Sequence, residues 1–172
     1  MPVGATIAFD EAHESGVYRR VMAREGEVRE ILTHPERYAA QALEHHTAVA
    51  LRELAMEEVR RANYPQYPSR MRCLYVSQTL EEAERWGEYF ARLGRPTYGI
   101  VELRVEGPCF VGDARNCFAG TPDWQNNLRL ARRYWDCAPN PDRQSPIEEV
   151  LAGGEITILK MVREIRANLE EK

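Results

Sequence analysis

The alternation of apolar and polar residues predicts seven short strands along the chain. Each run is rich in β-branched, aromatic or other apolar residues and is bounded by turn-forming residues, which favours extended backbone. The runs lie at 3–9, 17–22, 73–77, 98–105, 109–111, 148–151 and 156–162. The pair Gly153-Gly154 separates the last two runs, so we expect a tight turn between them.

Other segments repeat apolar residues every three or four positions, which is the spacing of one helix face. The longest such stretch runs from 36 to 62 and ends before Pro65, because proline cannot donate the next backbone hydrogen bond. A second helix begins after Thr79, where Glu82 three residues later completes a capping box. Shorter helices are predicted at 28–32, 123–136 and 163–172, the last of them charged and terminal.

The order of these elements lacks the strict strand–helix–strand alternation of a doubly wound parallel sheet. We therefore expect an α+β fold, with residues 1–172 forming a single domain. A mixed, mostly antiparallel sheet would be flanked by helices, including a long N-terminal helix. Two irregular segments, 112–124 and 138–146, are long enough to suggest a role in binding.

The composition is typical of a globular protein without a membrane span. Of the 172 residues, 44% are hydrophobic and 29% are charged. No apolar run approaches the ~20 residues that cross a bilayer, and the N-terminus lacks the basic and apolar regions of a signal peptide. We therefore expect a cytoplasmic protein with no membrane partner. The formal net charge of -4 argues against nucleic-acid binding through overall charge.

Known chemical motifs are mostly absent. The four cysteines and the histidines show no zinc-ligand spacing, so we expect no metal. The sequence also lacks a phosphate-binding P-loop, the G-x-G-x-x-G dinucleotide fingerprint and the G-x-S-x-G nucleophile elbow. Three polar residues at strand positions remain as candidates. Arg19 lies in the predicted strand 17–22, Ser77 ends the strand 73–77, and Glu149 lies in the strand 148–151.

This ordered trio resembles the Arg–Ser–Glu signature of the ADP-ribosyltransferase-like superfamily. In that superfamily the arginine lies on the first core strand, the serine ends a later strand, and the glutamate directly precedes Val-Leu near the C-terminus. Arg19, Ser77 and Glu149 occur in that order, and Glu149 is followed by Val150-Leu151. The resemblance implies the split sheet of that superfamily and NAD as the substrate.

The resemblance also implies a role for each residue. Glu149 would stabilise the positive charge that builds on the ribose when the nicotinamide bond of NAD breaks. Arg19 would bind the phosphate or ribose of NAD through its guanidinium fork. Ser77 would hold Arg19 or Glu149 in place, and either Tyr134 or Tyr18 would pack on the nicotinamide. The ADP-ribose acceptor would be a protein, a nucleic acid or water.

The sequence departs from the superfamily pattern at three places. The serine motif lacks the usual Ser-Thr-Ser, so Ser77 supplies a single hydroxyl. Ile147, two residues before Glu149, occupies the place where enzymes that modify arginine usually carry Glu or Gln. Arginine is therefore a disfavoured acceptor. Arg20 replaces the glycine that follows the arginine of the signature, where the cofactor would approach the backbone.

The whole chain is also similar to a bacterial family of unknown function, with a context in bacteria or phage. The shared features are five short blocks, which here cover 13–19, 68–70, 112–114, 127–135 and 149–154. This likeness extends over nearly the full length and bears on fold rather than activity.

Two alternatives to an NAD-using enzyme remain open. A binding module with the same fold but no catalysis would hold a nucleotide-like ligand or a protein, and would keep the three residues apart or the cleft filled. An RNA-directed transferase would need a continuous basic strip. The candidate strips are Arg129 with Arg132 and Arg133, or Arg60 with Arg61 and Arg70.

Overall fold

The computed structural model describes residues 2–10, 13–94 and 99–164. The strands in these ranges are β1 (Thr6–Phe9), β2 (Leu74–Val76), β3 (Gly99–Glu106), β4 (Cys109–Asp113), β5 (Glu148–Ala152) and β6 (Gly154–Glu164). The α-helices are α1 (Gly16–Met22), α2 (Glu25–Thr33), α3 (His45–Asn63), α4 (Leu80–Arg92) and α5 (Trp124–Trp135). The predicted α+β class and single domain are therefore confirmed.

The strands form two sheets of three strands rather than one sheet. One sheet has the order β1-β6-β3 and the other has the order β2-β5-β4. All four strand pairs in the described ranges are antiparallel, so the expected mixed character is not seen there. The connections from β1 to β2 and from β2 to β3 contain helices and join one sheet to the other. Two short passages also join the sheets, one between β3 and β4 and the other between β5 and β6.

The two short passages between the sheets lie against each other and need glycine. The N–H of Gly153 donates to the carbonyl of Pro108 at 2.9 Å, which ties the passages together. Gly154 has a φ of 75°, in the left-handed region, and a Cβ there would lie 2.5 Å from the carbonyl oxygen of Glu106. The predicted turn at Gly153-Gly154 is thus the junction between the sheets.

The predicted strand at 17–22 is wrong, because this segment forms helix α1. Ser15 is its N-cap and accepts hydrogen bonds from the N–H groups of Val17 and Tyr18, at 3.1 and 3.2 Å. The helix packs on α3 and buries Val21, with Val17 beside it. This cap and burial outweigh the β-propensity of the two valines and the tyrosine.

The long helix begins later than the periodicity predicts. Residues 35–37 form a single 3₁₀ turn that starts with Pro35, and α3 begins at His45 rather than at 36. Glu44 caps α3 by accepting hydrogen bonds from the N–H groups of His46 and Thr47 at 3.0 and 3.3 Å. The end of the helix at Asn63, before Pro65, agrees with the prediction.

Two other helix predictions are confirmed and one is not. The capping box of Thr79 and Glu82 is present at the start of α4. The helix predicted at 123–136 is α5 (Trp124–Trp135), and Asp123 is its N-cap. Arg163 and Glu164, in contrast, belong to strand β6, so the predicted terminal helix does not start at 163. The rest of that helix prediction, 165–172, lies outside the described residues.

Helix α3 lies between two buried clusters and links them. Its N-terminal half, with Ala50 and Leu51, packs against α1 and α2. Its C-terminal half packs against α5 and the second sheet, where the indole N–H of Trp135 donates to the carbonyl of Met56 at 2.9 Å. Polar side chains on α3 are therefore held in the middle of the molecule.

Candidate functional site

A cleft of about 860 Å³ is lined by strands of both sheets and by α4. Strands β2 and β5 contribute from one sheet, β3 and β6 contribute from the other, and α4 closes one side. Its volume lies in the range of roughly 300–1,000 Å³ that is usual for small-molecule sites. Ser77 and Glu149 both line this cleft.

The register of β2 and β5 brings Ser77 close to Glu149. Val76 pairs with Val150, so Ser77 comes one residue after this pair on its strand and Glu149 comes one residue before it on the other. Because the strands run antiparallel, both residues are displaced in the same direction along the sheet. The predicted neighbourhood of the serine and the glutamate therefore follows from strand pairing.

The carboxylate of Glu149 is held through one of its oxygens. The hydroxyl of Tyr134 donates to Oε1 at 2.7 Å, and Nη1 of Arg70 donates to the same oxygen. No hydrogen bond reaches Oε2 from the part of the chain that the structure describes. The Glu149 side chain is 15% exposed. One oxygen is thus anchored while the other is available on a residue that lines the cleft.

Arg70 connects this carboxylate to a second one on α3. Its Nε donates to Oε2 of Glu53 at 2.9 Å, and its Nη1 donates to the Tyr134 hydroxyl at 2.6 Å. The side chains of Arg70 and Glu53 are 5% and 2% exposed. Arg52 completes the cluster by donating from Nε to Oε1 of Glu53 at 2.9 Å. We call these five residues (Arg52, Glu53, Arg70, Tyr134 and Glu149) the buried ionic cluster.

The contacts within the cluster shift the pKa of Glu53, Arg70 and Tyr134. Burial acts to raise the pKa of Glu53, but the adjacent Arg70 and Arg52 hold that pKa below its ordinary value. Burial acts to lower the pKa of Arg70, yet Glu53 and other neighbours raise it well above its ordinary value. Burial, the Glu149 charge and the hydrogen bond to Glu149 together raise the pKa of Tyr134 against the opposing charge of Arg70. The Tyr134 hydroxyl therefore stays protonated near neutral pH and can donate its hydrogen bond to Glu149.

Two cysteines beside the cluster are unsuited to nucleophilic chemistry. Burial raises the pKa of Cys73 to about 12 and that of Cys117 to about 11, despite the nearby Arg70. Both thiols are protonated near neutral pH, whereas the thiolate is the reactive form. Cys73 has the core position that the sequence predicts.

The far wall of the cleft carries aromatic rings and one ion pair. Trp86 and Phe90 on α4 lie with ring centroids 5.7 Å apart and planes at 27°. Lys160 on β6 pairs with Glu102 on β3 at 2.9 Å. The lining of the cleft therefore combines aromatic rings with charged groups of both signs.

The structure separates Arg19 and Tyr18 from the other predicted site residues. Both lie on α1, and Arg19 lines a different hollow of about 510 Å³ beside β1. The ring of Tyr18 lies 4.9 Å from the guanidinium carbon of Arg72. This differs from the prediction because 17–22 is a helix packed on α3, not a strand of the sheet that carries Glu149. Of the predicted residues, the structure brings together Glu149, Ser77 and Tyr134.

No motif in the sequence indicates a role for Glu53, and Arg70 is a candidate member of a basic strip. One signal for Glu53 was available, since it falls three residues after Ala50 and three before Met56, on the buried face of α3. Arg70 belongs to the block 68–70 that the family resemblance singles out.

The basic strip through Arg60, Arg61 and Arg70 is not a free surface. Arg70 is buried, and Arg60 and Arg61 both donate to Glu57, at 2.9 and 2.8 Å from its Oε1. On α5, Arg133 donates to the carbonyl of Pro139 at 2.8 Å. The Glu57 carboxylate therefore offsets part of the charge of Arg60 and Arg61, and burial keeps Arg70 from a nucleic-acid backbone.

Neither a membrane-spanning helix nor a metal-binding cluster occurs in the part of the chain that the structure describes. No helix in ranges 2–10, 13–94 and 99–164 is both long and apolar enough to cross a bilayer. The same ranges contain no group of three or more His, Cys, Asp or Glu side chains placed to hold a metal ion.

The fold and the cleft define an α+β protein of two antiparallel sheets, in which a carboxylate on a strand is held by a buried arginine. A family model described as "Protein of unknown function (DUF2441)" matches residues 1–164, and the chain belongs to this family. No curated protein matches the sequence.

Proposed function

We propose that this protein is an ADP-ribosyltransferase-like enzyme that breaks the nicotinamide–ribose bond of NAD. The observation that carries the proposal is the carboxylate of Glu149 in the cleft. One oxygen is fixed by Arg70 and Tyr134, and the other has no partner among the described residues. The paired sheets would then correspond to the split sheet of that superfamily.

Glu149 would act electrostatically. When the bond between C1′ of the ribose and the nicotinamide nitrogen breaks, its electron pair leaves with nicotinamide and positive charge builds on the ribose. A fixed carboxylate oxygen stabilises that charge more than it stabilises the neutral ribose of the bound substrate. The acceptor then adds to C1′ and loses a proton, which yields an ADP-ribosylated product, or free ADP-ribose when the acceptor is water.

Other groups in the cleft fit the binding of such a substrate. The Trp86–Phe90 pair would stack on a planar ring. The hydroxyl of Ser77 would hydrogen-bond to the ribose or to Glu149, and Lys160 would approach a phosphate. In this proposal the arginine beside Glu149 is Arg70, which contacts the carboxylate and not the substrate, and we assign neither Arg19 nor Tyr18 a role inside the cleft. The acceptor would be a protein, a nucleic acid or water.

The test is release of nicotinamide from NAD by the purified protein, followed by liquid chromatography. Glu149→Gln keeps the shape of the side chain but removes its charge, so turnover should fall by roughly 100-fold or more. Glu155→Gln removes an exposed carboxylate that lies on β6 outside the cleft, and it should leave turnover unchanged.

Failure would take one of two forms. Equal loss in both variants would remove Glu149 from the mechanism. If the parent protein releases no nicotinamide, the enzyme proposal falls. In that case an NAD-dependent rise in melting temperature would favour the non-catalytic binding module, and its absence would remove NAD from consideration.

A further inference from the structure

The buried ionic cluster connects Glu53 on α3, through Arg70, to Glu149 at the cleft. Glu53 accepts from Nε of Arg70 at 2.9 Å and from Nη2 at 3.4 Å. The opposite side of the same guanidinium donates through Nη1 to Glu149 and Tyr134. Glu53 neither lines the cleft nor contacts Glu149 directly.

Because guanidinium is planar and rigid, the contacts on one side of Arg70 fix the orientation of the other side. Its five N–H bonds lie in one plane at fixed angles, so holding Nε and Nη2 also sets the direction of Nη1. The direction of Nη1 in turn sets where Oε1 of Glu149 lies. Because the carboxylate is rigid, the position of Oε2 is then restricted as well.

Stability alone is a weak reason for such an arrangement. Two carboxylates and a guanidinium lose most of their hydration here, and buried ion pairs often contribute no more to stability than apolar groups of equal size. Tyr134 adds a neutral donor that points at the same oxygen of Glu149, at 2.7 Å. Both donors converge on one atom of the one cluster residue that lines the cleft.

We propose that Arg70, oriented by Glu53, is a positioning residue that aims the Oε2 atom of Glu149 into the cleft. The catalytic part of this inference rests on the proposed function, whereas the geometric part does not. Neither Arg70 nor Glu53 would touch the substrate, so removing their contact should change the rate of the chemical step and leave substrate binding nearly unaltered.

The kinetic test uses Glu53→Gln and measures kcat and KM for nicotinamide release. We expect kcat to fall by about 10- to 100-fold, because misplacement of a catalytic group by ~1 Å has effects of that size. KM should change less than about twofold. Tyr134→Phe removes the second donor to Oε1 while retaining the core ring, so it should lower kcat in the same way and serves if Glu53→Gln does not fold.

Glu57→Gln is the matched control. Glu57 is also a buried glutamate on α3, one helical turn beyond Glu53, and it pairs with Arg60 and Arg61 instead of Arg70. It should keep the parental kcat and KM. Similar losses of kcat in Glu53→Gln and Glu57→Gln, or an unchanged kcat in Glu53→Gln and Tyr134→Phe, would overturn the proposal.

Crystal structures of the parent and of Tyr134→Phe and Glu53→Gln separate this inference from the proposed function. We expect the Glu149 carboxylate to occupy one rotamer in the parent and more than one in a folded variant. A single unchanged rotamer in the variants would overturn the positioning role even if NAD is turned over. An inactive parent with the expected rotamers would overturn only the NAD reaction.

Discussion

Arg70 and Arg19 show how strongly the surroundings of a side chain determine its contribution to the stability of the fold. The Arg70 guanidinium is buried and shared by Glu53 and Glu149, so each of its partners depends on it. Arg19 lies exposed on α1 beside a shallow hollow. Loss of the Arg70 charge leaves Glu149 without its ion-pair partner and Glu53 with Arg52 alone, whereas loss of the Arg19 charge affects a solvated group.

The substitution of each arginine by glutamine tests this contrast. We expect Arg70→Gln to lower the free energy of unfolding by about 3 kcal/mol, because the charge of Glu53 is then compensated only by Arg52. Arg19→Gln should change it by less than about 0.5 kcal/mol, as is usual for surface residues. Urea unfolding followed by circular dichroism measures both, and equal effects would contradict the burial of Arg70.

At the scale of elements, the irregular segment 138–147 is held to the end of β4 by Asp113. Oδ1 of Asp113 accepts hydrogen bonds from the N–H groups of Arg115 and Ile147, each at 3.0 Å. Oδ2 accepts from the side chain of Asn140 at 2.8 Å. Burial acts to raise the pKa of Asp113, but these hydrogen bonds hold it below its ordinary value. The segment is therefore an ordered loop leading into β5, which carries Glu149.

The lowered pKa of Asp113 predicts how its contribution to stability depends on pH. The stabilisation is present above the pKa of the unfolded chain, about 3.9, and it is lost as the pH falls through the lower pKa of the folded state. Asp113→Asn places an amide donor against Asn140 and should cost about 1 kcal/mol at pH 7. The difference in free energy of unfolding between this variant and the parent should shrink as the pH falls below about 4. Urea titrations at several pH values would detect it, and a constant difference would refute this account.

At the scale of the molecule, the cleft depends on how the chain passes between the two sheets. Both short passages meet at one place, where Gly153 donates to Pro108 and Gly154 lies against the backbone of Glu106. Strands β5 and β6 diverge from this junction, and each contributes to the lining of the cleft. Crowding at the junction would therefore affect both sheets.

Gly154→Ala should lower the free energy of unfolding by about 2 kcal/mol or more, because a Cβ is strained at positive φ and also meets the Glu106 carbonyl. Gly26→Ala is the matched control, since Gly26 lies in α2 with no atom close to the place of a new Cβ. There alanine should stabilise the protein by about 0.5 kcal/mol. Thermal unfolding of both variants measures the contrast, and stabilisation by Gly154→Ala would rule out the strained junction.

Elements with strong local signals could be predicted from sequence. The capping box of Thr79 and Glu82 and the aspartate cap of α5 involve neighbours in the chain, and proline ends α3 for a steric reason that needs no tertiary context. The segment 17–22 shows the opposite case. Its β-branched residues favour a strand, but packing against α3 makes it a helix.

For the candidate site, the sequence by itself determined the two strand ends that bear Ser77 and Glu149, because alternating apolar residues and turn signals mark β2 and β5. Only the tertiary structure decided which arginine meets the glutamate. Arg70 and Glu149 are 79 positions apart in the chain, and Glu53 approaches from helix α3. Their meeting depends on the register of β2 with β5 and on the packing of α3, and such long-range contacts leave no periodic pattern in the sequence.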